Sequence, residues 1–236
     1  MKIEVCHSPA WYHTYEDKNS IVVVIDVLRA TSAICTAFEF GVEKIIPVAT
    51  MEEALVYKGN GFLTGAERDA IRVDGFDFGN SPYDFMTEKI QGKTIVLTTT
   101  NGTQAIEVSK NAHKVVVGAF TNFSALCHWL VSQKRNVLLL CAGWKDKYNL
   151  EDALFAGAVA EKLSDTGLFD EIADSAWACR YLYEANKKDR FRFFKNAAHS
   201  KRLAQLNLKK DIKYCFSLDK TSIIPVLENG CLVKMK

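Results

Sequence analysis

Five consecutive apolar residues, Ile21-Val22-Val23-Val24-Ile25, run straight into an aspartate, Asp26. A strand with one wet face would alternate apolar and polar side chains. An unbroken β-branched run is what a strand needs when both faces are covered, as in a parallel sheet between helices. A helical stretch follows over residues 30–40 and is closed by Gly41. Residues 43–48 supply a second short strand. Thr50, three residues before Glu53, forms a capping box and predicts another helix start. This β-α-β-α order already places the chain in the α/β class.

The pattern then returns. Residues 94–97 read as a strand, 98–103 as a polar turn, and a helix runs from Gln104. Residues 115–117 form the next strand, and Thr121 opens the next helix. Laid over one another without a gap, residues 24–34 and 96–106 place Thr31 on Thr103, Ala33 on Ala105 and Ile34 on Ile106. Farther on, Thr50 and Ala54-Leu55 fall on Thr121 and Ala125-Leu126. The match predicts an internally repeated β-α-β-α unit. A third passage follows, with a strand over 136–141, a loop over 142–150 and a helix over 151–163. The glycine- and acid-rich stretch 59–92 reads as a loop excursion between the repeats. A helix over 175–194 and a last strand near 222–227 finish the reading. The expected architecture is one α/β domain over 1–236, a mostly parallel sheet flanked by helices. It comprises two pseudo-repeats, about 20–90 and 92–165, and a C-terminal segment.

Composition narrows the function classes. The net charge is +2 over 236 residues, and nucleic-acid binders usually carry a basic excess or stripe. The densest basic stretch, residues 187–210, reads as solvated helix faces. No apolar run is long enough to span a bilayer, and no signal peptide is recognisable. The seven cysteines are widely spaced, with no CxxC pair, and several lie in apolar runs. That fits a reducing compartment. A cytoplasmic protein without nucleic-acid or membrane partners is expected, with a homodimer as the commonest assembly.

In an open α/β sheet, ligands bind beyond the carboxyl ends of the strands. Three such ends are polar here: Asp26, Arg29, Thr31 and Ser32; the run from Thr98 through Thr99, Thr100, Asn101, Gly102 and Thr103; and Glu151 with Asp152. The second end brings hydroxyls, an amide and free helix N–H groups together, which makes an anion cradle. Asp26 closes an apolar strand, so it needs a cation or a donor, and Arg29 offers a planar fork for phosphate. Glu151 and Asp152 either complement a helix dipole or hold Mg²⁺. Glu67 beside Arg68, and Asp77 near Asn80 and Ser81, are further polar groups on loops. No cysteine is followed six positions later by arginine, which excludes the cysteine-phosphatase loop. A second aspartate after Asp26, a Walker loop and a dinucleotide fingerprint are also missing. His7, His13, His113, His128 and His199 lack metal-ligating spacing and read as structural.

Residues 24–32, 75–82 (Gly-Phe-Asp-Phe-Gly-Asn-Ser-Pro), 97–103 (Leu-Thr-Thr-Thr-Asn-Gly-Thr) and 150–153 (Leu-Glu-Asp-Ala) resemble the signature stretches of the 2-phosphosulfolactate phosphatases. So do Ala198-His199 and residues 215–219. The resemblance runs in order from about residue 22 to 225. It implies Mg²⁺-dependent hydrolysis of 2-phospho-3-sulfolactate to 3-sulfolactate and phosphate, on an α/β fold. One departure stands out. The family often reads Gly-Glu-Arg-Gly-Gly, where this chain has Gly65-Ala66-Glu67-Arg68-Asp69-Ala70. Taken together, Asp26 and Arg29 are expected to be catalytic, and Asp26, Glu151 and Asp152 to hold Mg²⁺. Thr31, Ser32, Glu67, Arg68, Asn80, Ser81, Thr99, Thr100, Asn101, Gly102 and Thr103 are expected to bind a small anionic phosphate ester, with Arg68, Asn80 and Ser81 toward its carboxylate and sulfonate ends. Asp26 could serve as metal ligand, base or nucleophile. Two other classes stay open: an anion-binding protein without turnover, and a lyase or transferase acting on a related 2-hydroxy acid.

Overall fold

The computed structural model describes residues 1–195 and 197–235. Its strands are β1 (Lys2–Cys6), β2 (Ile21–Ile25), β3 (Lys44–Pro47), β4 (Leu63–Arg68), β5 (Ile71–Arg72), β6 (Thr94–Thr98), β7 (Lys114–Gly118), β8 (Val137–Cys141), β9 (Glu171–Ile172), β10 (Pro225–Glu228) and β11 (Cys231–Lys234). Its helices are α1 (Ala30–Glu39), α2 (Met51–Gly59), α3 (Gly102–Ser109), α4 (Phe123–Gln133), α5 (Leu150–Ser164), α6 (Asp174–Asn186), α7 (Arg190–Phe194), α8 (Ala198–Gln205) and α9 (Lys209–Cys215). The α/β class is as the hydrophobic pattern predicts. The Thr50 cap is made: its hydroxyl accepts the Glu53 N–H at 3.1 Å, and Glu53 reaches back to the Ala49 N–H at 3.3 Å.

All the strands join one sheet in the order β5-β4-β6-β3-β11-β10-β7-β2-β8-β1-β9. Within β4-β6-β3 and within β7-β2-β8-β1-β9 the pairing is parallel. The β10–β11 hairpin joins the two blocks by antiparallel pairing on both sides. The central eight strands map onto themselves when β2 is exchanged with β6, β3 with β7, β4 with β8 and β10 with β11. Register follows the same exchange: Val22 lies opposite Val115, and Thr94 opposite Lys44.

Side chains alternate along β2. Ile21, Val23 and Ile25 enter a core with Leu126 of α4, Phe155 of α5 and Cys179 of α6. Val22 and Val24 enter another with Ala33 and Ile34 of α1, Ile106 of α3, and Ile95 and Leu97 of β6. Val96 points the other way, toward Ala54 of α2. Helices α1 and α3 therefore lie between two arms of one sheet, and residues 30–38 of α1 are all buried.

Three expectations need correction. The stretch 59–92 is not wholly excursion: β4 pairs with β6, so Glu67 and Arg68 end a sheet strand rather than sit on a free loop. The helix expected over 175–194 is divided into α6, a 3₁₀ turn at Lys187–Asp189, and α7. The last strand is a hairpin placed mid-sheet. Among the described residues, no helix is long and apolar enough to cross a membrane.

Candidate active site

The turn after β2 is tied by its own hydroxyls. Thr31 Oγ1 accepts the Asp26 N–H at 3.1 Å, and the Asp26 carbonyl accepts the Thr31 N–H at 3.0 Å. Ser32 Oγ donates to the Val27 carbonyl at 2.9 Å. Asp26 Oδ1 accepts the Ala30 N–H at 3.4 Å, at the start of α1. After β6, Thr99 Oγ1 accepts the Thr103 N–H at 3.2 Å, and Thr103 Oγ1 donates to the Thr99 carbonyl at 3.0 Å. The two turns meet at Gly102. A Cβ there would lie 2.7 Å from Ala30 Cβ, 3.1 Å from Asp26 Oδ2 and 3.2 Å from Thr99 Oγ1. Only a glycine lets the start of α3 approach the Asp26 carboxylate this closely.

Beside this junction lies a narrow cleft. Asp26, Leu28 and Arg29 after β2, Glu67, Ala70 and Asn80, and Thr100 and Asn101 after β6 all line it. Gly143, Trp144 and Asn149, from the loop after β8, and His199 and Arg202 of α8 complete the lining. Trp144 is presented by a tight turn in which Lys145 and Asp146 take left-handed φ of 50° and 58°.

Charges inside the cleft are crowded. Burial, then the neighbouring Glu67 and Glu151 carboxylates, push Asp26 up to about 7, against the pull of His199 and the Ala30 N–H. Arg29 is buried; its Nη1 donates to Asp211 Oδ2 at 2.5 Å and its Nη2 to the Ala70 carbonyl at 2.6 Å. Glu67 Oε1 accepts the Ala70 N–H at 2.5 Å. Asp69 and Ala70 adopt φ of 53° and 69°, so the positions where the family often has two glycines keep the left-handed turn without them. His199 Nδ1 lies 2.5 Å from Glu151 Oε1, and Arg202 Nη2 donates to His199 Nε2 at 2.9 Å. Arginine cannot accept, so this network assigns the imidazole hydrogen to Nδ1. Glu151 Oε2, Asn80 Oδ1, Arg202 Nε and Arg202 Nη1 are buried with no partner among the described residues.

The candidate residues fall into groups. Asp26, Arg29, Glu67, Asn80, Thr100 and Asn101 line the cleft. Thr31, Ser32, Thr99 and Thr103 spend their hydroxyls on the turns behind it, and Gly102 is the contact point of those turns. Arg68 turns toward β6, donating to the Glu67 carbonyl at 2.6 Å and to Thr98 Oγ1 at 3.4 Å. Ser81 caps a short 3₁₀ turn at Pro82–Phe85 and borders the adjoining groove. Asp152 accepts the Val27 N–H at 2.9 Å and the Gly143 N–H at 3.1 Å, joining the ends of β2 and β8. Burial and the Glu151 and Asp26 carboxylates raise it well above the usual range. Sequence reasoning named no role for Arg202, Trp144, Asn149 or Asp211, and it read His199 as structural although Ala198-His199 falls in a family-like stretch. His199 and Arg202 lie inside the stretch read as solvated helix faces, and they leave that face for the cleft. Their spacing of three on one helix was the available signal.

Among the described residues, no three His, Cys, Asp or Glu side chains form a metal-ligating cluster. Mg²⁺ needs fewer, taking one or two carboxylates and completing its shell with water and phosphate oxygens. Asp26 and Glu67 fit that demand: both line the cleft, and the Glu67 carboxylate is the first of the neighbouring charges that push Asp26 up. Glu151 Oε1 is engaged by His199 while its Oε2 has no partner among the described residues, and Asp152 accepts from two backbone donors.

The profile of the family described as 2-phosphosulpholactate phosphatase matches residues 6–230. A Thermotoga petrophila protein named probable 2-phosphosulfolactate phosphatase is 44% identical over 211 residues, 89% of this chain and 90% of the relative. Proteins of the same name from Caldanaerobacter subterraneus subsp. tengcongensis and Clostridium acetobutylicum are 39% and 36% identical. They cover 92% and 98% of this chain, and 95% and 99% of their own lengths. The chain belongs to the 2-phosphosulfolactate phosphatase family.

Proposed function

We propose that this family member is a Mg²⁺-dependent phosphatase that hydrolyses 2-phospho-3-sulfolactate to 3-sulfolactate and phosphate in a reducing cytoplasm. The observation that carries the reading is the Asp26 carboxyl, raised to about 7 where two helix starts and an anchored arginine converge. Thr100 and Asn101, which line the cleft just before α3, receive the phosphoryl oxygens. Arg29 uses two of its five N–H donors on Asp211 and Ala70, which fixes the plane of the guanidinium and leaves the others for phosphate. Asp26 and Glu67 are the pair that would hold Mg²⁺. When bound, the ion supplies Lewis-acid neutralisation of the phosphoryl charge. Asp26 would be held ionised beside the ion and would orient the attacking water as an acceptor. The seven cysteines, all free and six of them buried, support the cytoplasmic placement.

The same reading accounts for the matching strand ends as products of duplication. Asp26 and Thr98 would then be equivalent, as would Ala30 and Gly102. Ala30 and Gly102 touch at the cleft, as equivalent residues must when they flank an axis relating two copies.

The test is phosphate release from 2-phospho-3-sulfolactate with and without Mg²⁺, in the wild type, Asp26→Asn and Arg29→Ala. Mg²⁺-dependent turnover that falls at least ~10²-fold in both variants is expected. Near-normal turnover in both would overturn the assignment.

A further inference from the structure

Two arginines face the cleft, and they stand in different states. Arg29 is paired with Asp211 at 2.5 Å. Arg202 gives Nη2 to His199 and stacks its guanidinium 4.4 Å above the Trp144 ring, while its Nε and Nη1 have no partner among the described residues. Arg202 forms no salt bridge among the described residues; Asp211 is paired with Arg29, and Glu151 Oε1 with His199. A buried, permanently charged group with two open donors is costly unless something accepts from them. Here they belong to a cleft-lining side chain that Trp144 and His199 hold in one orientation. Nε and Nη1 lie on different edges of the guanidinium, so each can donate to a separate oxygen of an anion.

We propose that Arg202 is the subsite for a second acidic group of the substrate, a singly charged carboxylate or sulfonate, and that it selects phosphate esters carrying one. This rests on the phosphatase reading, which places the phosphoryl group among Asp26, Arg29, Thr100 and Asn101. It moves recognition of the acid end from Arg68 and Ser81, which do not line the cleft, to a residue of α8. Trp144 and His199 are positioning residues here: one fixes the plane of the fork, the other its rotation. Selectivity follows because a phosphate ester without the acid leaves the buried donors of Arg202 unpaired, whereas 2-phospho-3-sulfolactate satisfies them.

The experiment compares the wild type, Arg202→Ala and Arg202→Lys on 2-phospho-3-sulfolactate and on glycerol 2-phosphate, which lacks the acid. The expected fall in kcat/KM for Arg202→Ala is on the order of 10²-fold on the first substrate, mostly in KM, and under about tenfold on the second. Lys, with charge but without the planar donors that Trp144 and His199 hold in place, recovers only part of the loss. Equal losses on both substrates, or no loss on either, would overturn the proposal. Thermal shifts with 3-sulfolactate and with inorganic phosphate separate it from the phosphatase reading. If the wild type hydrolyses neither ester, the phosphatase reading fails. The Arg202 subsite then stands if Arg202→Ala abolishes the 3-sulfolactate shift while keeping the phosphate shift, and falls if both shifts survive or both are lost.

Discussion

Replacing Asp26 with asparagine should make the metal-free protein more stable at alkaline pH and inactive. The carboxyl is buried and pressed by Glu67, Glu151 and Asp152, with only His199 and the Ala30 N–H in opposition. It therefore binds its proton more tightly in the fold than in the unfolded chain, where it titrates near 3.8. Between roughly pH 4 and 7 the folded state holds the extra proton, so stability falls as pH rises through that window. Below the window Asp26 costs nothing, and above it the full cost is present. From 3.8 to about 7, at about 1.4 kcal/mol per pH unit, ionisation costs roughly 4 kcal/mol. Asparagine keeps the shape and the Oδ1 acceptor but cannot ionise. For a chain of this length each kcal/mol moves Tm by about 2–4 °C. Melting in EDTA across pH 4–8.5 should therefore give coincident curves at pH 4, and Asp26→Asn melting roughly 8–16 °C higher at pH 8. Saturating Mg²⁺ should raise the wild-type Tm and leave the variant nearly unmoved. A pH-independent difference, or a gain under about 1 kcal/mol at pH 8, would refute the reasoning.

Gly102→Ala drives a methyl into Ala30 and the Asp26 carboxylate; a loss of about 1–3 kcal/mol in urea unfolding and a drop in kcat are expected. Ala70→Gly relieves an L-residue held at φ 69°; chemical denaturation should show a gain of about 1 kcal/mol, with KM unchanged if the turn is already in its working shape.

The strands buried on both faces were legible, because burial on both sides leaves an unbroken apolar run that no exposed element copies. Ile21–Ile25 and Val137–Cys141 are fully buried strands, and both were read from composition of the run alone. The Thr50 cap was equally plain, because its partners lie within four residues. What escaped depends on distance along the chain. Arg29 meets Asp211 across 182 positions, and Glu151 meets His199 across 48. No local pattern announces such a meeting. The Lys2–Cys6 strand is short, and β11 pairs with β3 from the far end of the sequence. The threonines around the cleft show the converse error. Polar residues at a strand end look like ligands, yet most of their hydroxyls are consumed in closing the turn. Open donors and acceptors on Arg202, Asn80 and Glu151 become visible only when every near neighbour has been placed.

The hairpin between the two parallel blocks also bears on how the chain is made. Its strands, β10 and β11, leave the ribosome after every other strand of the sheet, although they occupy its middle. Until they arrive, β3 and β7 each present an unpaired inner edge, the kind of edge that invites pairing with another chain. Each nascent half can pack its own helices but cannot bond to its counterpart through the sheet. Synthesis therefore passes through a stage in which two half-sheets wait for a shared seam, and that interval is when aggregation or chaperone capture competes with closure.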